Sequence, residues 1–521
     1  MNNEKRPQSS AVAADGGVSS ENVNSVTSAG AASSCLRAGV AKSNITTNSD
    51  GAQIHDPLYA KALVLDDGTT RIAIVTMDTT AIGGRKVSQG MLDDVGEEFL
   101  PRLRSRVQRE LSIPGCNVLV NASHTHPPGR LLCDDDEQVE RTFDAVSRAL
   151  QTMTAVTVGF GSGYEDRITI NRTLRLKNGR AWTIRHSNPC PPDDEVAEVG
   201  PIDPEIGIIR IDRVDGRPLA VVYNFACHPL FGDARGALTA NFPAVASRLI
   251  EETLGHGAMA LFLQGTGGDV IDILFKDFNR PRDIEPLGTM LGLSTLAALK
   301  NIKTGNACLK VISETIELPR RTDIPERIAA LRREQTELLE SLRGTSLNFK
   351  AFLPLYIKHA LSPDYPSNYS YRYLQAEKIG SDELAGMDDW NQEQIDKYLG
   401  NIRAMEKLTR LQDNIATLEK HQAINEESGE STIAAEVQGI RIGDGVLITS
   451  PAELLVQIGF NLKKASPYER TFVVPFSNGY MHYGPPAAAY ERGGYEVTEC
   501  LLAPEWQQIY EKTADNIIRR L

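Results

Sequence analysis

An apolar strand runs directly into two histidines in the stretch NVLVNASHTH, which spans Asn117 to His126. A preceding segment, roughly Ser88 to Leu111, has apolar residues at helical spacing, and alternating strands and helices are typical of α/β proteins. Because side chains alternate across an extended strand, His124 and His126 are expected on the same side. Open α/β sheets bind ligands at strand ends, so the pair is a candidate metal site. Two ordinary polar histidines are the plainer interpretation of this motif alone.

Apolar runs elsewhere predict the sheet around this stretch. Two strands, Ala60–Leu65 and Arg71–Asp78, flank the turn Asp66-Asp67-Gly68 and predict a hairpin. Some later connections are equally tight and others are long enough for a helix, which favours a mixed sheet. The sequence therefore predicts an α/β fold with a mixed β-sheet core flanked by helices. Later strands are predicted at Ile208–Asp212, Leu219–Phe225, Met259–Leu263, Leu309–Ile316, Val437–Ile442 and Val446–Thr449, and helices at Pro243–Leu254 and Ile284–Leu299.

The character of the chain changes to long charged helices between Pro325 and about Ile424. We predict a helical insertion over 323–430, within a domain that spans 38–521 and follows a disordered leader at 1–37. Spacings of three and four predict an antiparallel helical arm or a seam for a homo-oligomer, with a helix laid on the body as the plainer interpretation. The apolar positions of this pattern are Ile395, Leu399, Ile402, Met405, Leu408, Leu411, Ile415 and Leu418.

Composition argues against several classes of protein. Sixty-eight acidic against 55 basic residues give a net charge of −13, and no dense Lys/Arg run is present to neutralise phosphates, so nucleic acid is not an expected partner. Seven cysteines without a CxxC pair argue against a thiolate zinc site or a disulfide framework. No apolar run reaches the length of about 18 residues that a transmembrane helix needs. Since no secretory signal is recognised, a cytoplasmic location is expected.

Two further segments carry candidate site residues. His228 ends an apolar strand just before Pro229, whose ring favours an extended or turned backbone, and an uncharged histidine without a ligand is the alternative there. A second apolar strand, ending at Gln264, opens into the turn Gly265-Thr266-Gly267-Gly268 and closes on Asp269. A phosphate-binding P-loop does not fit, because no Gly-Lys-Ser/Thr follows. The glycines are expected to let backbone amides approach a substrate or to place Asp269 behind a histidine.

Taken together, six ordered motifs resemble the neutral, non-lysosomal ceramidases and their bacterial relatives. Each motif alone is weak, but their order from Ser123 to Glu496 makes the set specific. The motifs are Ser123-His124-Thr125-His126, Asn171-Arg172-Thr173, Asn224-Phe225-Ala226-Cys227-His228, Phe262-Leu263-Gln264-Gly265 through Gly268-Asp269-Val270, Pro451-Ala452-Glu453, and Asn478-Gly479-Tyr480-Met481-His482-Tyr483 with Tyr490 and Tyr495-Glu496.

The resemblance implies a zinc ion held by His124, His228, Glu453 and Tyr483. Nitrogen and oxygen ligands that leave a position for water are typical of catalytic rather than structural zinc sites. The lack of a paired-cysteine motif agrees with such a site. A zinc cofactor is therefore expected.

The resemblance also implies the residues that act on the substrate. His126 would lie near the metal-bound water and carry a proton to the leaving amine, Arg172 would bind substrate, and Tyr495 would contact the carbonyl oxygen. Surface or packing roles are the alternative for Arg172 and Tyr495. The implied reaction, a step of lipid metabolism, is hydrolysis by metal-activated water of an amide bond in an N-acyl substrate, ceramide-like or smaller.

Departures from the family pattern bear on the substrate. Where the family has Gly-Asp-Val-Ser-Pro-Asn, this chain has Ile271 in place of the serine and so offers no hydroxyl there. The HxH motif continues as Pro127-Pro128-Gly129, rather than the family's Ser followed by Gly or Ala, Pro and two Gly. Only 38 residues follow Tyr483 in a chain of 521, too few for the family's immunoglobulin-like C-terminal domain. An esterase or lactonase and a catalytically silent metal-binding scaffold are the alternatives to an amidase.

Overall fold

The computed structural model describes residues 36–83, 95–126, 133–184, 190–230, 237–273, 283–367 and 370–521. The predicted leader 1–37 lies outside these residues except at Leu36, which is buried, and Arg37, which begins the first strand. The Pro127-Pro128-Gly129 segment and the start of the predicted helix at Ser88 also lie outside them. Residues Cys35–Leu521 form one unit.

Nineteen strands occur in the described residues, and the strands predicted from apolar runs are among them. They are β1 (Arg37–Asn44), β2 (Tyr59–Asp66), β3 (Arg71–Met77), β4 (Val118–Ala122), β5 (Thr154–Tyr164), β6 (Thr169–Asn171), β7 (Thr173–Leu176), β8 (Ala181–Thr183), β9 (Val196–Val199), β10 (Glu205–Arg213), β11 (Pro218–Phe225), β12 (Met259–Gln264), β13 (Val270–Asp272), β14 (Leu309–Pro319), β15 (Thr432–Ile442), β16 (Gly445–Thr449), β17 (Glu453–Leu454), β18 (Arg470–Val474) and β19 (Tyr483–Gly484).

The largest sheet has eight strands in the order β12-β11-β10-β5-β1-β2-β3-β4. Its pairs β3–β4 and β11–β12 are parallel, and the other pairs are antiparallel, so the predicted mixed sheet is confirmed. The predicted hairpin is present as β2–β3, with Asp66 opposite Arg71. A second sheet of four strands has the order β14-β15-β16-β18 and includes the parallel pair β16–β18.

Helices cover one face of the large sheet and the four-stranded sheet covers the other. In β2, Ala62 and Val64 belong to the cluster that packs on the helices, whereas Leu63 and Leu65 pack toward the four-stranded sheet. This is the alternation expected of a strand that is buried on both faces. The stacking of two sheets did not follow from the sequence, because strands apolar on both faces do not reveal which layer covers each face.

Eleven α-helices occur in the described residues, and α1, α2, α3 and α4 pack against the large sheet. The helices are α1 (Phe99–Leu111), α2 (Asp135–Gln151), α3 (Asn241–Leu254), α4 (Glu285–Leu299), α5 (Ile324–Ser341), α6 (Phe349–Leu361), α7 (Tyr371–Ile379), α8 (Glu383–Ser428), α9 (Val456–Ala465), α10 (Tyr495–Thr498) and α11 (Trp506–Arg520).

Four of these helices, α5 to α8, lie between β14 and β15, and we call them the arm. The 46-residue α8 runs antiparallel to α5, as shown by the ion pair of Arg332 with Glu419 and the hydrogen bond of Gln335 to Gln412. Ile395, Leu408, Leu411, Ile415 and Leu418 are buried, so this part of the apolar periodicity is used within one chain. Association of two chains through the arm stays a prediction.

The lengths and hydropathies of the helices bear on membrane insertion. Among the helices that the structure describes, none combines enough length with enough apolar character to cross a bilayer.

Candidate metal centre

The candidate site lies where strands of both sheets end. His228 follows β11, and the glycine-rich turn follows β12, its parallel neighbour. Glu453 and Tyr483 follow β16 and β18, which are also parallel neighbours, and they pair with each other through the short strands β17 and β19. Parallel neighbours end at the same edge of a sheet, which is where open α/β sheets bind ligands.

The end of β4 joins these segments by backbone hydrogen bonds. The amide of Ala122 donates to the carbonyl of Phe476 at 3.0 Å, and the amide of Asn478 donates to Val120 at 2.9 Å. His124 itself has a φ of 63°, a left-handed conformation that is uncommon outside glycine. The predicted strand alternation therefore does not extend to this histidine, since β4 ends at Ala122 and the backbone at His124 is left-handed.

The imidazoles of three histidines and one carboxylate converge. The ligand nitrogens of His124, His126 and His228 lie within 4.8 Å of one another. Glu453 Oε2 lies 3.1 Å from His228 Nε2 and 3.4 Å from His124 Nε2. His124, His228 and Glu453 are each at most 2% exposed, so this convergence is in the protein interior.

The other ring nitrogens of the two buried histidines face backbone carbonyls. His124 Nδ1 lies 2.6 Å from the carbonyl oxygen of Thr80, and His228 Nδ1 faces the carbonyls of Gly267 and Val270. A carbonyl can only accept, so each Nδ1 donates, and a neutral ring then presents a lone pair at Nε2. Two Nε2 atoms and a carboxylate thus meet at one point, and nitrogen and oxygen donors of this kind suit a metal ion.

Burial sets the protonation of this cluster. Burial lowers the pKa of His228 to about 4 and holds the pKa of His126 well below its usual value. Burial alone would raise the pKa of Glu453, but the proximity of His124 and His228 holds it well below its usual value. At neutral pH an ionised carboxylate therefore faces a neutral His228, which is the protonation state that binds a metal ion.

Tyr480 contacts the cluster in a way that the sequence did not assign. Its hydroxyl donates to Glu453 Oε1 at 2.5 Å, so each oxygen of that carboxylate has its own partner. Tyr480 lies three residues before Tyr483 in the same motif, and this spacing was the only signal that could have drawn attention to it.

Arg172 orders the tyrosine of the predicted ligand set. Its Nη2 donates to Tyr483 Oη at 3.0 Å and to the carbonyl of Gly268 at 2.8 Å, while its Nε donates to Glu496 Oε1 at 2.8 Å. Burial raises the pKa of Tyr483, and the charge of Arg172 acts against that rise. Arg172 is 4% exposed and its guanidinium is committed to these three partners, which fits a positioning role better than the predicted direct contact with substrate.

His126 and Tyr495 are partly exposed, unlike the buried residues beside them. His126 Nε2 lies 3.2 Å from His124 Nε2. The ring of Tyr495 lies 5.4 Å from that of Tyr483, measured between centroids, and 5.5 Å from the guanidinium carbon of Arg172. Among the predicted site residues, these two are therefore the ones that keep some contact with solvent.

Asp269 does not lie behind a histidine, in contrast to the expectation from the sequence. Its carboxylate accepts from Asn171 Nδ2 at 2.8 Å and from the amide of Val456 at 2.9 Å. Backbone carbonyls orient the histidines instead, and Asp269 fixes the glycine-rich turn to its neighbours. At Gly268, a Cβ would lie 2.8 Å from the carbonyl oxygen of Glu453, so glycine is required for the turn to approach that residue.

Ile271 lies beside the site. It is 3% exposed, and its backbone forms a bridge with that of His228. The position at which the ceramidase pattern has a serine is therefore next to a candidate ligand. An isoleucine there gives this part of the site an apolar surface with no nucleophile.

These features define a mixed-sheet α/β protein with a buried histidine, carboxylate and tyrosine cluster at its strand ends. Its fold is that of the neutral ceramidases. The neutral ceramidase from Pseudomonas aeruginosa aligns with a TM-score of 0.57 and 15% identity over 94% of this chain and 75% of that chain. A ceramidase complexed with C2 aligns with a TM-score of 0.57 and 16% identity, over 94% and 76% respectively.

No family model and no curated protein matches the sequence. The structural likeness, at this level of identity, concerns the fold. It confirms that part of the resemblance drawn from the six motifs.

Proposed function

We propose that this chain is a zinc-dependent hydrolase that cleaves the amide bond of an N-acyl substrate, ceramide-like or smaller. The observation that carries the proposal is the convergence of His124 Nε2, His228 Nε2 and the ionised Glu453 in the interior, with Tyr483 paired beside Glu453. The ceramidase fold supports the same reaction class.

The donor set fits zinc. Imidazole nitrogens and carboxylate or phenol oxygens without thiolates are typical of catalytic zinc sites, and the Nε2 atoms of His124 and His228 face the carboxylate of Glu453, where a cation can bind. His124, His228, Glu453 and Tyr483 would hold the ion. When bound, zinc lowers the pKa of a water ligand to about 7 and polarises a carbonyl oxygen.

The other predicted site residues bind the substrate, transfer protons or hold the site in place. His126 is neutral and partly exposed, so its imidazole can take a proton from water and give it to the departing amine. The Tyr495 hydroxyl donates a hydrogen bond to the carbonyl oxygen as negative charge develops there. Arg172 acts indirectly, because its guanidinium orients Tyr483. Asp269 holds the glycine-rich turn that carries the carbonyl partner of His228.

The substrate class is identified by measuring turnover of matched N-acyl and O-acyl chromogenic compounds of different acyl length. Each compound is assayed with and without a chelator. We expect amide turnover that the chelator abolishes. His228→Ala is expected to lose at least about 1000-fold in kcat/KM, which matches the several kcal/mol that a Lewis acid supplies. His256→Ala, at an exposed histidine away from the site, is the matched control and should keep full activity.

Two other outcomes would replace this proposal. Ester or lactone turnover without amide turnover would make the chain an esterase or lactonase, and the apolar surface at Ile271 is the observation that favours a substrate other than ceramide. Full zinc content without turnover of any acyl compound would make it a metal-binding scaffold. The cytoplasmic location is a separate prediction that fractionation of the native cell tests.

A further inference from the structure

We propose that His421, His482 and Glu499 form a second metal site, distinct from the candidate catalytic centre, which fastens the arm to the segments carrying Tyr483 and Tyr495. The ligand atoms of the three residues lie within 4.8 Å of one another. All three side chains are at least nine-tenths buried, with exposures of 1%, 7% and 5%.

One polar atom of this group lacks a partner. His421 Nδ1 is buried without a hydrogen-bond partner among the residues that the structure describes. On the other side of the ring, His421 Nε2 lies 3.6 Å from Glu499 Oε2, which is longer than a hydrogen bond. The imidazole and the carboxylate are therefore close together without a hydrogen bond between them, at a separation that two ligands of one metal ion can have.

The donor chemistry points to a divalent transition metal, with zinc as the first candidate. Two imidazoles and one carboxylate are a common zinc set and carry one negative charge toward the ion. Glu499 Oε1 accepts from the Thr417 hydroxyl at 3.3 Å, an outer hydrogen bond of the kind that orients metal-binding carboxylates. The rings of His421 and His482 are inclined by 56° with centroids 5.6 Å apart, so their edges can turn toward a common point.

The location gives this site its role. His421 belongs to α8 of the arm, whereas His482 immediately precedes Tyr483 and has a left-handed φ of 60°. Glu499 follows the short helix that begins with Tyr495, and its amide donates to the carbonyl of Tyr495 at 2.9 Å. An ion held by these three residues therefore positions two tyrosines of the candidate catalytic centre relative to the arm.

The test is zinc content per full-length chain after equilibration with zinc and removal of excess metal. We expect two ions for the native chain, one for His421→Gln, one for His228→Ala and none for the double variant. Glu499→Gln, which keeps the shape of the side chain, should also reduce the content to one. Circular dichroism shows whether a variant has a folding defect. If His421→Gln unfolds, the zinc content of Glu499→Gln tests the second site instead.

His359→Gln is the matched control, because His359 is a buried arm histidine that belongs to no such group among the described residues. It should keep two ions. One ion in the native chain that His421→Gln retains would overturn the second site, and would leave the group as a buried hydrogen-bonded cluster. Two ions in His228→Ala would contradict the proposed catalytic centre instead, so the two proposals fail in different ways.

Discussion

Glu453 and Tyr483 are direct partners in a parallel pairing of two short strands. Partners in such a pairing project to the same face, so the carboxylate and the phenol lie side by side although they come from different loops. The amide of Glu453 also donates to the carbonyl of His482 at 2.9 Å. The two predicted oxygen ligands are thus fixed to each other by backbone hydrogen bonds, and displacement of one segment moves both.

Removal of the Tyr480 hydroxyl should weaken metal binding. Tyr480→Phe deletes the hydrogen bond to Glu453 Oε1 and leaves the carboxylate less well oriented. We expect zinc affinity to fall about 10–100-fold, the usual effect of losing a partner of a metal ligand. Competition with a chromogenic chelator measures this affinity. Tyr510→Phe removes another buried hydroxyl, which bonds the carbonyl of Thr449, and should leave zinc affinity unchanged.

Arg172 should matter for both stability and turnover, in separable ways. Arg172→Met leaves Glu496 buried without its cation, which should cost about 3–5 kcal/mol in the free energy of unfolding. Adding Glu496→Gln should recover much of that stability without restoring kcat, because Tyr483 still lacks its positioning donor. Recovery of kcat in the double variant would show that Arg172 is structural only.

The exposed pair of Arg175 with Glu198 supplies the control for this experiment. Both side chains are about half exposed, so Arg175→Met should change the free energy of unfolding by less than about 1 kcal/mol. Denaturant titrations of the three variants and the native chain give the comparison.

Asp269 should make stability depend on pH. Burial raises its pKa to about 6 from an ordinary value of 3.8, so the folded chain holds this proton more tightly than the unfolded chain. The contribution is therefore full below about pH 4 and is lost as the pH rises through about 6. The free energy of unfolding of the native chain minus that of Asp269→Asn should fall across this window by at most about 3 kcal/mol. A difference that rises with pH would contradict the assignment.

A chelator should lower the melting temperature of the purified chain. Zinc that binds only the folded state stabilises it by about 4 kcal/mol when its free concentration is 1,000 times the dissociation constant. Scanning calorimetry with and without a chelator, followed by return of zinc, measures the effect. An unchanged melting curve after complete removal of zinc would contradict a buried site made of His124, His228 and Glu453.

The sequence predicted the mixed sheet and most of its strands because strand periodicity and turns are local properties. It also indicated His124 and His228 as residues at strand ends. Asp269 and Tyr480 were different, because their partners lie far away in the chain: Asp269 contacts Val456, and Tyr480 contacts Glu453. The left-handed backbone at His124 was not predicted either, since a histidine in a sequence does not indicate a positive φ.

The two ends of the arm lie at neighbouring positions of the four-stranded sheet. β14 and β15 pair along their whole length, from Leu309 with Ile442 to Pro319 with Thr432, so the chain leaves and re-enters the sheet at adjoining residues. An insertion with adjoining ends can lengthen, shorten or be exchanged over evolutionary time while strand register is kept. A change in the length of the arm is therefore expected to disturb the strands that present the histidines less than a change within those strands.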